Sequence, residues 1–86
     1  MTYTITCKTG AARDMDGLPA RIASAVVEFA YGPLADNPHR VGKPLGFELA
    51  GKHSARRGSY RVIYHISESS SEVQIIAVQH RADIYR

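Results

Sequence analysis

Three strand-like segments in the second half of the chain constrain the fold most, because only short turns separate them. They are predicted over residues 52–56, 60–67 and 72–80. Residues 57–59, which read Arg-Gly-Ser, form a glycine-containing hairpin turn between the first two segments. The last segment contains Val-Gln-Ile-Ile-Ala-Val, and such a nearly continuous apolar run is typical of a strand that is central in its sheet. Strands joined in hairpin order are antiparallel, so a mainly antiparallel sheet is predicted.

The first half of the chain predicts one strand followed by two helices. Residues 2–8 alternate and are rich in Thr, Tyr and Ile, which indicates an opening strand. Thr9 is expected to cap the N-terminus of a short helix over residues 11–16. Pro19 can begin a second helix, in which apolar residues recur at steps of three and four as far as Ala30.

The stretch between the helices and the hairpin is predicted to be irregular. Residues 31–38 contain two prolines and are interpreted as a loop. Residues 41–52 contain three glycines and a proline, which predicts an irregular approach to the sheet. The order strand-helix-helix-strand-strand-strand therefore predicts an α+β fold, with two N-terminal helices packed on one face of the sheet in a single domain over residues 1–86.

Charge is distributed unevenly along the chain, although the net charge is only +3. Residues 39–65 contain six lysines and arginines against one glutamate, whereas residues 11–36 contain two arginines against four acidic residues. A basic face indicates a polyanionic partner such as nucleic acid, and the alternative is a merely solvated surface.

Several classes of protein are disfavoured by the sequence. No stretch approaches the ~18 consecutive apolar residues of a membrane span, and residues 1–10 lack the pattern of a secretory signal. Cys7 is the only cysteine, so no internal disulfide is expected and a cytoplasmic location fits best. Cys7 and the histidines lack metal-ligand spacing, and no glycine-rich phosphate loop precedes a helix, so neither a metal nor another cofactor is expected.

Side-chain alternation in the hairpin separates a core face from an open face. Tyr60 and Tyr64 are expected in or beside the core, and His53 is assigned either to the open face or to the space beneath the helices. The open face carries the basic residues and one serine, namely Lys52, Ser54, Arg56 and Arg61. The end of the last strand, with His80 and Arg81, is expected beside this face, and Tyr85 at its edge.

Such a basic groove has the chemistry to bind and cleave RNA. Guanidinium groups match phosphate oxygens, and histidine can carry a proton near neutral pH. Arginines could stabilise the charge that develops when a 2′-hydroxyl attacks the adjacent phosphate, without a metal ion. DNA lacks this hydroxyl, so the mechanism would select RNA.

Two motifs give the chain a family resemblance. The hairpin strand reads Gly-Ser-Tyr-Arg-Val-Ile-Tyr at residues 58–64, and the end of the chain reads His-Arg-Ala-Asp-Ile-Tyr at residues 80–85. At this spacing they resemble the RelE-type toxins of bacterial toxin–antitoxin pairs, and the resemblance extends over essentially the whole chain. It implies a RelE-like fold and a toxin that cuts messenger RNA in the ribosomal A site, in contact with 16S ribosomal RNA. It also implies a cognate antitoxin that keeps the toxin inactive.

The resemblance also implies roles for individual residues. Arg61 and Arg81 would hold the scissile phosphate, and Tyr85 would stack on or orient the substrate nucleotide. His80 fits a general acid or base. Lys52, Arg56, Arg57 and Arg61 are the predicted RNA-binding residues.

Three points are left open by the sequence. Many relatives carry a second basic residue where this chain has Ser54, so proton transfer is assigned to Lys52, His53 or His80 without a choice among them. One rival to the nuclease is a ParE-like inhibitor of DNA gyrase with the same fold. The other is a non-enzymatic module that binds RNA or the ribosome.

Overall fold

The computed structural model describes residues 2–45 and 51–80. The first half is mainly helical after one short strand, and three longer strands form most of the second half. In chain order the elements are β1 (Thr4–Cys7), α1 (Thr9–Asp16), α2 (Ala20–Phe29), a π-helical turn (Ala30–Leu34), α3 (Pro38–Val41), β2 (Lys43–Pro44), β3 (Lys52–Arg57), β4 (Tyr60–Ser67) and β5 (Glu72–His80).

The strands form a single five-stranded sheet in the order β1-β5-β4-β3-β2. β1 runs parallel to β5, and the other neighbouring pairs are antiparallel. The predicted α+β fold with a mainly antiparallel sheet is therefore confirmed. β5 lies between β1 and β4, which explains why its sequence is almost continuously apolar.

The core lies between the helices and one face of the sheet. Alternate residues of β4 point into it, and Val62 and Tyr64 are completely buried. Ala55 of β3 is 1% exposed beside them. The predicted core face of the hairpin is thus confirmed, and Tyr60 and Tyr64 are core residues.

Helix α1 packs beside β5 where β1 no longer covers it. The side chain of Asp14 accepts a hydrogen bond from the backbone N–H of Val78 at 2.9 Å. β1 pairs with β5 only as far as Ile75. The Asp14 carboxylate therefore replaces the missing strand as the hydrogen-bond acceptor for the backbone N–H of Val78.

Two local predictions are wrong. Thr9 is not the N-cap of α1 but its first residue, and the preceding Lys8 makes no capping hydrogen bond through its side chain. Residues 31–38 are not a loop, since the chain continues through the π-helical turn and then begins α3 at Pro38. Leu34 and Pro38 are fully buried, so their apolar contacts outweigh the local preference of glycine and proline for a loop.

Within residues 2–45 and 51–80, no helix is long and apolar enough to cross a membrane.

Candidate RNA-binding cleft

The register of the hairpin places Arg56 and Arg61 directly opposite each other on neighbouring strands. Ser54 lies opposite Ile63, and Lys52 lies opposite His65, on the same face of the sheet. The next residues in each strand, such as Ala55 and Val62, are buried beneath the helices. The predicted placement of Lys52, Ser54, Arg56 and Arg61 on one face is therefore confirmed.

Arg56 and Arg61 line an open cleft of about 470 Å³ between the hairpin and the segment that contains α3 and β2. The opposite wall contributes Arg40 and Lys43. Four cationic side chains and no acidic ones are therefore found among the described residues of this lining. Such a concentration of one sign of charge in a concave surface favours a bound anion.

Two arginines directly opposite each other repel, and this repulsion destabilises the folded state unless an anion lies between them. Arg61 is half-buried, and its Nε atom is buried without a hydrogen-bond acceptor among the described residues. Its other neighbour in the sheet is Gln79 of β5, which brings an amide to the same face. Phosphate oxygens are the acceptors that such a guanidinium matches best.

The structure does not bring all of the predicted site residues to this cleft. Lys52 shares the open face, but it is four residues from Arg56, or about 13 Å along the strand. Arg57 lies on the other face, where its guanidinium carbon is 4.8 Å from the centre of the Phe29 ring. His80 lies opposite Tyr60, whose side chain is buried on the helical side of the sheet, so His80 shares that side. The β5 residue opposite Arg61 is Gln79. Arg81 and Tyr85 lie outside the described residues.

His53 lies beneath the helical layer and not on the open face. Its ring stacks on Tyr64, with 5.6 Å between centroids, and meets the ring of His39 edge-on at 5.8 Å. Burial lowers the pKa of His53, and the nearby His39 lowers it further, while the backbone of Gly51 opposes the shift. The second of the two placements considered for His53 is the observed one.

Comparison with known proteins identifies the family. Residues 6–85 match the family described as the ParE toxin of type II toxin–antitoxin system, parDE. The chain belongs to the RelE/ParE superfamily of type II toxins. It is 57% identical to toxin RelG of Mycobacterium tuberculosis over 86 residues, which covers 100% of this chain and 99% of that protein. It is 51% identical to toxin RelE of the same organism over 84 residues, which covers 98% of this chain and 87% of that protein.

Solved structures of RelE toxins share the architecture. The toxin–antitoxin complex RelBE2 from Mycobacterium tuberculosis contains a chain that matches with a TM-score of 0.92 and 53% identity, over 94% of this chain and 100% of that one. The isolated RelE toxin of Escherichia coli matches with a TM-score of 0.76 at 16% identity, over 96% of this chain and 90% of that one. At that level of identity the second comparison supports the RelE fold alone.

In this RelE/ParE toxin, the wall of the cleft that carries Arg40 and Lys43 is anchored in the core. The hydroxyl of Tyr64 donates a hydrogen bond to the carbonyl oxygen of Pro38 at 2.6 Å. Burial raises the pKa of Tyr64 to about 12, so the hydroxyl keeps its proton and remains a donor. Backbone pairing of β2 with β3 continues the attachment, with Lys43 opposite Ser54.

Gly42 allows this wall to approach the sheet closely. A Cβ atom at this position would lie 2.3 Å from the Tyr64 hydroxyl and 2.8 Å from the carbonyl oxygen of Ser54. We therefore expect Gly42→Ala to lower the free energy of unfolding by about 1–3 kcal/mol, because the wall must move outward. Urea denaturation of Gly42→Ala in the wild-type and Tyr64→Phe backgrounds measures this. The substitution should be less harmful in Tyr64→Phe, and an equal effect in both backgrounds would contradict the proposed clash with the hydroxyl.

The exposed side of the same wall is held by a small polar cluster. The Nε2 atom of His39 contacts Glu68 of the β4–β5 turn, and the Tyr3 hydroxyl donates to the same carboxylate at 3.0 Å. His39 and then Tyr3 lower the pKa of Glu68. α3 is therefore joined to the far end of the sheet as well as to Tyr64.

His53 should make the stability of the toxin depend on pH. The pKa of His53 is lowered in the folded state, while an unfolded histidine titrates near ~6.5. The unfolded chain then binds more protons below about pH 6.5, so the free energy of unfolding should decrease from pH 7.5 to pH 5.5. The Glu68 carboxylate titrates below this window, since its pKa is lowered from an ordinary value of ~4.3. Urea denaturation at both pH values should show a weaker dependence in His53→Phe, and an unchanged dependence would contradict the assignment.

Proposed function

We propose that this toxin is a ribosome-dependent endoribonuclease that cuts messenger RNA in the A site and thereby inhibits translation. The observation that carries the proposal is the pair of opposed arginines, Arg56 and Arg61, in a cleft whose described lining contains no acidic residue. The names of the relatives RelG and RelE point to the same class of toxin.

The proposed reaction uses the RNA's own 2′-hydroxyl as nucleophile. This oxygen loses its proton and attacks the adjacent phosphorus, and the bond to the 5′-oxygen of the next nucleotide breaks as that oxygen gains a proton. The products are a 2′,3′-cyclic phosphate and a free 5′-hydroxyl. Arg61 would stabilise the negative charge on the phosphorane, and Arg56 would orient the phosphate beside it. No metal ion or other cofactor is needed for these steps.

The remaining roles rest on the family resemblance. Arg81 would share the scissile phosphate with Arg61, and Tyr85 would stack on the nucleotide. Of the three candidates for proton transfer, only Lys52 shares the open face with Arg61, since His53 stacks on Tyr64 and His80 lies opposite the buried Tyr60. We therefore assign proton transfer to Lys52.

A protein partner is part of the proposal. RelBE2 of Mycobacterium tuberculosis is a toxin–antitoxin complex, and its matching chain is 53% identical to this one. We propose that a cognate antitoxin also binds and inactivates the present toxin in the cytoplasm, where translation occurs. Acidic antitoxin residues over Arg56 and Arg61 would compete directly with RNA.

Inhibition of DNA gyrase is the second candidate function. It is favoured by the match to the family described as ParE toxin. The opposed arginines favour the nuclease, because inhibition of gyrase requires no cleft for a scissile phosphate.

The test is to map new RNA 5′ ends after adding the purified toxin to a translating bacterial extract. Cuts in register with codons, absent when the same RNA is supplied without ribosomes, are the expected result. An Arg81→Ala variant should lose the cuts. Arrest of DNA supercoiling by gyrase without any RNA cuts would instead support the second candidate, and binding to ribosomes with neither effect would indicate a non-enzymatic module.

A further inference from the structure

We propose that Arg40 and Lys43 form a second phosphate subsite, which binds the RNA backbone next to the phosphate held by Arg56 and Arg61. This inference rests on the proposed function and extends it from the scissile phosphate to a neighbouring phosphate of the same RNA strand. The two cations lie in the α3–β2 wall of the cleft, opposite the hairpin.

The register of the sheet gives the spacing of the two subsites. Lys43 lies directly opposite Ser54, and Arg56 is two residues further along the same strand as Ser54. Lys43 and Arg56 are therefore diagonal neighbours on one face, with Cα atoms about 7–8 Å apart. Their side chains extend from the same face of the sheet into the cleft. Neighbouring phosphates of a single RNA strand can therefore contact Lys43 and Arg56 at the same time.

The subsite is held on a fixed backbone, although its side chains are exposed. Pro38 is fully buried and accepts the hydrogen bond from Tyr64, two residues before Arg40. The backbone N–H of Leu45 donates to the carbonyl of Lys52 at 2.9 Å, two residues after Lys43. The wall is thus anchored on both sides of the two cations, and little order must be gained when a ligand binds.

RNA is the occupant that the lining favours over an acidic protein segment. The described lining combines four cations and the small polar side chain of Ser54 with three apolar residues of the wall, and it contains no acidic residue; the apolar residues are Val41, Pro44 and Leu45. A volume of about 470 Å³ is in the range of a ligand pocket, and the cleft is partly open to solvent, so an RNA strand can enter it from the surface. Arginine donates directed hydrogen bonds to phosphate oxygens through its planar guanidinium, and lysine adds a compact positive charge.

The test is a binding measurement that does not depend on cleavage. The probe is a labelled 2′-O-methyl oligouridylate of eight nucleotides, which lacks the nucleophile and cannot be cut. Arg40→Gln/Lys43→Gln should bind it about 25-fold more weakly at 0.1 M salt, and the slope of log K against log salt should fall by about 1.4, since two phosphate contacts are lost. The matched control is Arg13→Gln/Arg21→Gln, which removes two exposed arginines from α1 and α2.

Other results of the binding measurement overturn the subsite. Equal weakening in the control pair would mean that net charge alone attracts RNA, and an unchanged slope in Arg40→Gln/Lys43→Gln would place RNA elsewhere. If the wild-type toxin binds a poly-glutamate peptide through these two residues but does not bind the RNA, the wall serves an acidic protein. An assay of ribosome-dependent cleavage, run in parallel, separates the two proposals. RNA binding without cleavage contradicts only the proposed function. Cleavage that is unchanged in Arg40→Gln/Lys43→Gln contradicts only the subsite.

Discussion

Replacement of Arg61 by alanine should lower the rate of ribosome-dependent RNA cleavage by about 10²–10³-fold. The guanidinium is half-buried, lies opposite Arg56 and has no acceptor for its Nε among the described residues, so it is already placed to receive a phosphate oxygen. The charge on the phosphorane would lose its nearest donor. Single-turnover cleavage on programmed ribosomes is the appropriate measurement, because it separates the chemical step from binding.

The matched control for Arg61→Ala is Arg21→Ala, which removes an exposed arginine from α2 in the helical layer. It should change the cleavage rate less than twofold. A similar loss in both variants would mean that net charge, and not the position of Arg61, supports the reaction. Arg61→Lys adds a further comparison, since a lysine keeps the charge but cannot donate through a planar fork, and should recover only part of the activity.

Replacement of Leu34 by alanine should lower the free energy of unfolding by about 2.5–5 kcal/mol. The side chain is completely buried at the end of the π-helical turn and packs in the main hydrophobic core. The stability of a small domain is only about 5–15 kcal/mol, so this single substitution should remove a large part of it. Urea denaturation followed by circular dichroism gives the value directly.

Tyr31→Ala is the control for Leu34→Ala, because it lies in the same turn but is 66% exposed. It should change the free energy of unfolding by no more than about 0.5 kcal/mol. If both substitutions had the same small effect, the turn would behave as the loop that its glycine and proline predict, and the packed conformation would be wrong.

Local pattern was sufficient for the strands of the hairpin. β4 and β5 have the predicted bounds, because their apolar residues alternate or run together between clear turn residues. The turn between β3 and β4 was predicted at residues 57–59, but Arg57 still pairs with Tyr60, so the turn contains only Gly58 and Ser59, and the glycine has a φ of +53°. Alternation along these strands is also sufficient to predict that Arg56 and Arg61 share one face.

Pattern failed where distant contacts decide the conformation. The π-helical turn and α3 contain the glycine and prolines that normally mark a loop, yet Leu34 belongs to a core cluster that includes Val62 of the sheet, and the carbonyl oxygen of Pro38 accepts a hydrogen bond from Tyr64. β2 is only two residues long and begins after Gly42, so its strand character depends on pairing with β3 and not on its own sequence. No window of sequence contains both partners of such a contact.

In the candidate site, too, some features follow from local sequence pattern and others from contacts between distant parts of the chain. The motifs at residues 58–64 and 80–85 were enough to recognise the superfamily. Alternation, which is a local property of a strand, was enough to predict which hairpin cations share a face. Only the tertiary structure brought Arg40 and Lys43 across from Arg56 and Arg61, and only strand register placed Gln79 beside Arg61. Alternation along β3 puts His53 and Arg57 on the side of Ala55, and the tertiary structure supplies their neighbours there, Tyr64 and Phe29. A cleft has two walls, and here the packing of the chain around Tyr64 decides which residues form the second one.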